Sequence, residues 1–148
     1  MVLDSDDETV PAIRVTIHDR SPREHVLKAA DSAAVEGTPK VHFPNPNARR
    51  INKSLGDRTG LRGLGFHLIE VPPGCESTEY HRHHHEEECT FILSGPGEVR
   101  IGDDVMPIGP GDFIGYPAGG PAHTMRNTGA EALRCIVVGQ RLDHDVGD

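Results

Sequence analysis

The pattern of apolar and polar positions divides this chain into an irregular first part and a regular remainder. From Leu64 onward, short apolar runs recur at short intervals, each closed by Gly, Pro, Asp or Asn. LGFHLIEV (64–71) predicts a strand stopped by Pro72, Pro73 and Gly74. STEYHRH (77–83) predicts the next, followed by a turn of histidines and glutamates, then ECTFILSG (88–95). GEVRIGDD ends in a tight hairpin turn, and DVMPIG is the returning strand. DFIGYP, HTMRN and ALRCIVVG continue the series. Strands at this spacing, punctuated by Gly and Pro, predict an all-β sandwich or barrel.

The first part is less regular. The acidic cluster Asp4, Asp6, Asp7 and Glu8 predicts disorder over residues 1–10. IRVTI (13–17) alternates and predicts a short strand. PREHVLKAADSAA (22–34) has helix formers after Pro22, with Ser21 as N-cap, and predicts a short helix. HFPNPNARR (42–50) carries two prolines and predicts an extended, irregular crossing. Residues 50–59 predict a strand edge and a turn. The expected organisation is an N-terminal extension over 1–50, partly disordered, with a short strand and helix, and a β-barrel domain over 51–148.

Composition narrows the possibilities. The 148 residues are enough for one domain with a real core. No apolar run approaches the ~20 residues of a membrane span, so no membrane association is expected. The acidic start lacks the order of a signal peptide. Cys75, Cys89 and Cys135 are an odd set without metal or disulfide spacing, which predicts a reduced, cytoplasmic setting. A net charge of −8 argues against nucleic acid as a partner.

The candidate chemistry lies in GCESTEYHRHHHEEECTFILSG (74–95). His81 and His83 are two residues apart, so a strand would place both imidazoles on one face. Glu88 follows a turn, and His123 is available as a further donor from the second half. Three imidazoles and a carboxylate suit one divalent transition metal such as Mn, Fe, Ni, Cu or Zn. An octahedral ion with four protein ligands keeps two positions open for a ligand or water. Glu87 is the rival carboxylate. His67 faces either the lumen or the outside, with a structural role the expectation, and Asn127 is expected to close a turn. His84, His85, Glu86 and Glu87 read as exposed turn residues.

These residues carry a family resemblance. Gly74, His81, His83, Glu88 and Gly95 resemble the first motif of the cupins. Gly111, Pro117, Gly119, His123 and Asn127 resemble the second. The spacers before His81 and before His123 are each one residue longer than the usual pattern. Both also occur in a subset of small single-domain cupins of the conserved-barrel type, similar through the Gly-Gln-Arg ending and mostly without an assigned activity. The resemblance covers roughly the last three-fifths of the chain and implies a jelly-roll barrel holding a metal on His81, His83, Glu88 and His123. The implied function is a metal-binding protein, as an enzyme acting on a small oxygen-rich molecule such as an organic acid, diketone or sugar. The alternative is a small-molecule binding or sensing module without turnover. No general base stands out besides the ligands.

Strand alternation adds a partner. If Glu88, Thr90 and Ile92 point inward, then Cys89, Phe91 and Leu93 point outward, and a sheet with one wet face should not look so apolar. Leu133, Cys135, Val137 and Ile136, Val138 double the pattern on the last strand. A two-fold homodimer, or the N-terminal segment, is expected to cover this face.

Overall fold

The computed structural model describes residues 20–145. The acidic 1–10 stretch and the IRVTI strand lie outside the described residues. Among the described residues, nine strands form two antiparallel sheets: β1 (Thr38–His42), β2 (Asn45–Ser54), β3 (Leu64–Val71), β4 (Glu88–Ser94), β5 (Gly97–Ile101), β6 (Asp104–Ile108), β7 (Phe113–Tyr116), β8 (His123–Asn127) and β9 (Leu133–Gln140). The larger sheet has the order β1-β2-β3-β9-β4-β7, and the smaller β6-β5-β8. This is the all-β barrel expected from the strand spacing, with the jelly-roll form that the family resemblance implies.

Alternation along the strands explains what fills the barrel. Thr90 and Ile92 of β4 are buried while Phe91 and Leu93 are exposed. Ile69 and Val71 of β3, Leu133 and Cys135 of β9, Val99 of β5, Ile114 of β7 and Met125 of β8 complete the apolar core. Gly95 ends β4 at φ 90°. Its missing side chain also matters, because a β-carbon there would lie 3.0 Å from the Ala132 carbonyl oxygen.

Three local expectations are corrected. The 22–34 helix is two pieces: a 3-10 turn over Pro22–His25 and a short helix α1 over Ala29–Ala34. The HFPNPN segment is not an irregular crossing but a hairpin, with Thr38↔Asn52 through Val41↔Arg49 paired and a register shift at His42. Pro44 lies in the turn between β1 and β2, and Pro46 precedes the part of β2 that pairs with β3, Ile51–Ser54. Neither proline interrupts a shared ladder there. β2 thus runs across the 50/51 boundary and is continuous with the barrel sheet.

The third correction concerns STEYHRH, which is not a strand. Glu76 bridges Arg126, and His81 bridges His123. Between these bridges the first segment spends five steps and β8 spends three, so residues 77–80 bulge from the ladder. The bulge is held from below: Ser77 Oγ accepts Met125 N–H at 3.2 Å, and Thr124 Oγ1 donates to the Thr78 carbonyl at 2.8 Å.

Candidate metal centre

Register closes again at the histidines. His81 N–H donates to the His123 carbonyl at 3.2 Å, and His123 N–H returns to the His81 carbonyl at 2.8 Å. Gly119 N–H donates to the His83 carbonyl at 2.9 Å. The longer spacers before His81 and before His123 therefore sit on facing segments, and the paired residues remain opposite one another.

All four expected ligands line one cavity of about 380 Å³. His81 and His83 approach with Nε2 atoms 3.1 Å apart. The His123 ring lies 4.9 Å from that of His81, centroid to centroid. Its Nε2 stands 3.6 Å from Glu88 Oε1, too far for a hydrogen bond, and is buried without a hydrogen-bond partner among the described residues. Tyr116 stacks on His123 at 3.5 Å and 7° between planes, which holds the ring in place. Glu88, not the exposed Glu87, faces the cavity.

The far side of each ring decides what the near side offers. His81 Nδ1 lies 2.7 Å from the Glu79 carbonyl oxygen, which only accepts, so the proton is on Nδ1. His83 Nδ1 lies 2.6 Å from Asp145 Oδ2, with the same consequence. Two lone pairs then face each other at 3.1 Å, an arrangement that a cation between them would relieve. Asp145 Oδ1 also accepts the backbone N–H groups of His85 at 2.9 Å and Glu86 at 3.0 Å. Burial raises the Asp145 carboxyl, but the bonds from His83, His85 and Glu86 together outweigh it and bring it to about 2. His83, Glu86 and Asp145 themselves form a group of metal-ligating types at the rim. Their side chains are committed otherwise: Glu86 Oε1 accepts Leu142 N–H at 2.7 Å, and Asp145 is bonded to His83.

The electrostatics of these donors follow from their burial and their neighbours. Burial lowers His81, and the neighbouring His123 and His83 lower it further, against the Glu79 bond and Glu88. It is therefore neutral, as a ligand must be. Burial raises Glu88, but His123, His81 and His83 together outweigh it, so its carboxyl is held below the usual range.

The cavity has members that the sequence reading did not single out: Arg50, Asn52, Arg141 and Asp145, the last from the outside. His67 was left open between lumen and surface. It faces the cavity, two positions from buried Ile69 and four from Val71 on the same face of β3. Asn52 Nδ2 donates to His67 Nδ1 at 2.9 Å, which leaves the proton on Nε2. Burial, then Arg141 and Arg50, lower its pKa. A β-carbon on Gly65 would lie 2.9 Å from His67 Nε2 and 3.2 Å from Arg141 Nε, so a larger residue there would displace these two side chains. Asn127 closes its turn as expected, accepting Gly129 N–H on Oδ1 and donating Nδ2 to the Val71 and Glu131 carbonyls. Cys135 is buried, which pushes its thiol up to about 12 and leaves it inert. Cys75, Cys89 and Cys135 are all free thiols. No helix among the described residues is long and apolar enough to cross a membrane.

Two antiparallel sheets around a cavity lined by histidines and a glutamate define a class of barrel. The chain belongs to the cupin family: the Cupin domain model matches residues 67–139. A candidate sugar phosphate isomerase from Acidithiobacillus ferrooxidans is 52% identical, over 86% of this chain and 82% of that one, with a TM-score of 0.84. A sugar phosphate isomerase of the cupin superfamily from Silicibacter pomeroyi is 27% identical over 76% and 73%, with a TM-score of 0.68. A predicted oxalate decarboxylase from Thermotoga maritima, 22% identical over 79% and 99% with a TM-score of 0.66, shares the fold. No curated protein matches the chain.

Proposed function

We propose that this cupin holds one divalent transition metal on His81, His83, His123 and Glu88 and acts on a small polyoxygenated molecule of the sugar class. The observation that carries the reading is the pair of Nε2 lone pairs facing at 3.1 Å, with each ring locked from behind by an acceptor at Nδ1. The buried, unpartnered Nε2 of His123 supports it. An ion bound there would supply Lewis acidity toward a carbonyl or hydroxyl oxygen.

The class of molecule is supported by the two relatives named as sugar phosphate isomerases and by the polar side chains Arg50, Asn52, His67 and Arg141 that line the cavity beside the candidate ligands. Isomerisation of an aldose to a ketose moves a proton between adjacent carbons. His67, neutral and outside the ligand set, presents an N–H at Nε2 toward such a substrate. Tyr116 keeps its proton, because burial, then the Glu88 charge, push its pKa above the ordinary value.

The test begins with untagged protein purified without a metal column. Elemental analysis should return about one first-row ion per chain in the wild type and far less in His81→Ala or His123→Ala. The loaded protein is then incubated with a panel of aldose and ketose phosphates and followed by proton NMR. Absence of stoichiometric metal, or equal metal in the variants, removes the metal reading. Metal without interconversion of any panel member removes the isomerase reading and favours binding without turnover.

A further inference from the structure

A second recess, of about 480 Å³, adjoins the metal cavity and shares Arg50, Asn52, His67 and Arg141 with it. Lys40 and Arg58 also line it, so four cationic side chains meet two carboxylates, Glu36 and Asp57. Asp57 is already committed to Arg141 and to Ser54 Oγ. This cationic corner belongs to a chain whose net charge is −8. A local excess of the opposite sign concentrates anions there.

Two features favour an anion in this corner. Lys40 and Arg50 stand directly opposite each other on β1 and β2. Like charges in that position cost stability unless something lies between them. Arg50 Nη1 donates to the Ser77 carbonyl at 2.8 Å, but its Nε is buried with no hydrogen-bond partner among the described residues. Burial lowers the Arg50 pKa, while the Glu88 carboxylate works in the other direction. A desolvated guanidinium with an idle N–H is costly, and its planar fork matches an oxyanion.

We infer that the ligand of this cavity carries a phosphate monoester, which Arg50 binds together with Lys40 and Arg141 while the oxygen-rich remainder lies toward His81, His83 and His123. The inference rests on the small-polyol reading above and adds the end of the molecule that the metal does not hold. The excess of two cations over carboxylates matches a phosphate dianion better than a single carboxylate. The continuity of the two recesses gives such a molecule room at both ends.

Calorimetric titration of the full chain at low ionic strength tests this, with inorganic phosphate, malonate and glycerol as probes. Metal-loaded and chelator-treated protein are compared. Phosphate should bind both forms, more tightly than malonate, and glycerol should bind neither. Arg50→Gln should raise the phosphate Kd by about tenfold or more, as expected for a charge-assisted bond. Lys40→Gln and Arg141→Gln, at exposed positions, should each raise it several-fold, and they carry the test if Arg50→Gln does not fold by circular dichroism. Phosphate affinity that vanishes on chelation and ignores all three substitutions would place the anion on the metal and overturn the inference. Malonate binding as tightly as phosphate would overturn the phosphate assignment, and so would no phosphate binding by fully metallated protein. Failure of the metal reading looks different: wild-type protein that takes up no stoichiometric metal even when metal is supplied, yet still binds phosphate through Arg50.

Discussion

Asp145→Asn separates an ordered metal centre from a chance cluster of histidines. In the native chain Asp145 accepts three N–H groups: His83 Nδ1 on one oxygen, and the backbone of His85 and Glu86 on the other. Its side chain is 11% exposed, so water replaces these bonds poorly. Asparagine has one acceptor oxygen. If that oxygen stays with the two backbone groups, the amide NH2 turns to His83 and can only donate. His83 must then move its proton to Nε2, where it points at His81 Nε2 and occupies the lone pair a metal needs. Loss of an outer-shell partner of this kind lowers metal affinity by about 10- to 100-fold. The assay is competition with a chromogenic chelator for zinc at pH 7.5, with circular dichroism to establish folding. Asp143→Asn, at an exposed position on the same segment, serves as control and should bind as the wild type does. A folded Asp145→Asn protein that matches wild-type affinity would refute the argument that Asp145 sets the His83 tautomer.

Two further outcomes are expected. His81 and His67 have pKa values below the ordinary histidine value of ~6.5. The unfolded chain therefore binds more protons than the folded one as pH falls through that value, and stability drops with it. The melting temperature should decline below about pH 6.5, more steeply with metal than after chelation, because protons also displace the ion. An equally steep decline in metal-loaded wild type and His81→Ala would remove the metal as the cause. The outer face of β4 and β7 pairs Phe91 with Phe113, 42% and 66% exposed, beside Leu93 at 38%. Full burial of such side chains is worth about 1.5–3 kcal/mol each, and a two-fold dimer is expected to cover them. Light scattering at micromolar concentration should exceed the 16.1 kDa of one chain, and Phe91→Asp should shift it toward that mass. A monomeric wild type rejects the dimer.

The strands from Leu64 onward were legible because each is an apolar run closed by a turn residue, and because alternation is a strictly local rule. β4 shows this: Thr90 and Ile92 inward, Phe91 and Leu93 outward. The same rule fails where two segments of unequal length face each other. Nothing local in STEYHRH announces that five of its steps must match three of β8, so a bulge reads as a strand. Prolines misled in the opposite direction. Pro44 and Pro46 suggested an irregular crossing, but Pro44 sits in the hairpin turn between β1 and β2, and Pro46 lies before the part of β2 that pairs with β3. That His81, His83, Glu88 and His123 would line one cavity followed from motif spacing and the family resemblance. Arg50, Arg141 and Asp145 did not, since each acts through tertiary contact: Asp145 reaches His83 across 62 positions of sequence. His67 was recoverable in principle, since its strand face also carries Ile69 and Val71.

The way the site is mounted has a physical logic that links its ligands to the core. β4 carries Glu88, Thr90 and Ile92 on one inward face, and β8 carries His123, Met125 and Asn127 on another. Each strand therefore contributes a ligand-type residue at one end and packed side chains further along. Ile92 and Met125 belong to the apolar cluster, and Asn127 ties its end of β8 to the Val71 and Glu131 carbonyls. Side chains fixed by close packing lose little freedom when a ligand arrives, so the orientation of Glu88 and His123 is set before binding. His81 and His83 have no such strand beneath them. Their segment is irregular, and their rings depend on individual acceptors, Glu79 and Asp145. The candidate centre thus joins a half whose side chains are packed in the core to a half whose backbone is bridged to β8 but whose rings are oriented by hydrogen bonds at Nδ1. Of the two outer acceptors the Glu79 carbonyl belongs to the backbone, so the Asp145 carboxylate is where a substitution would most easily change the affinity of the proposed centre for an ion without unfolding the chain.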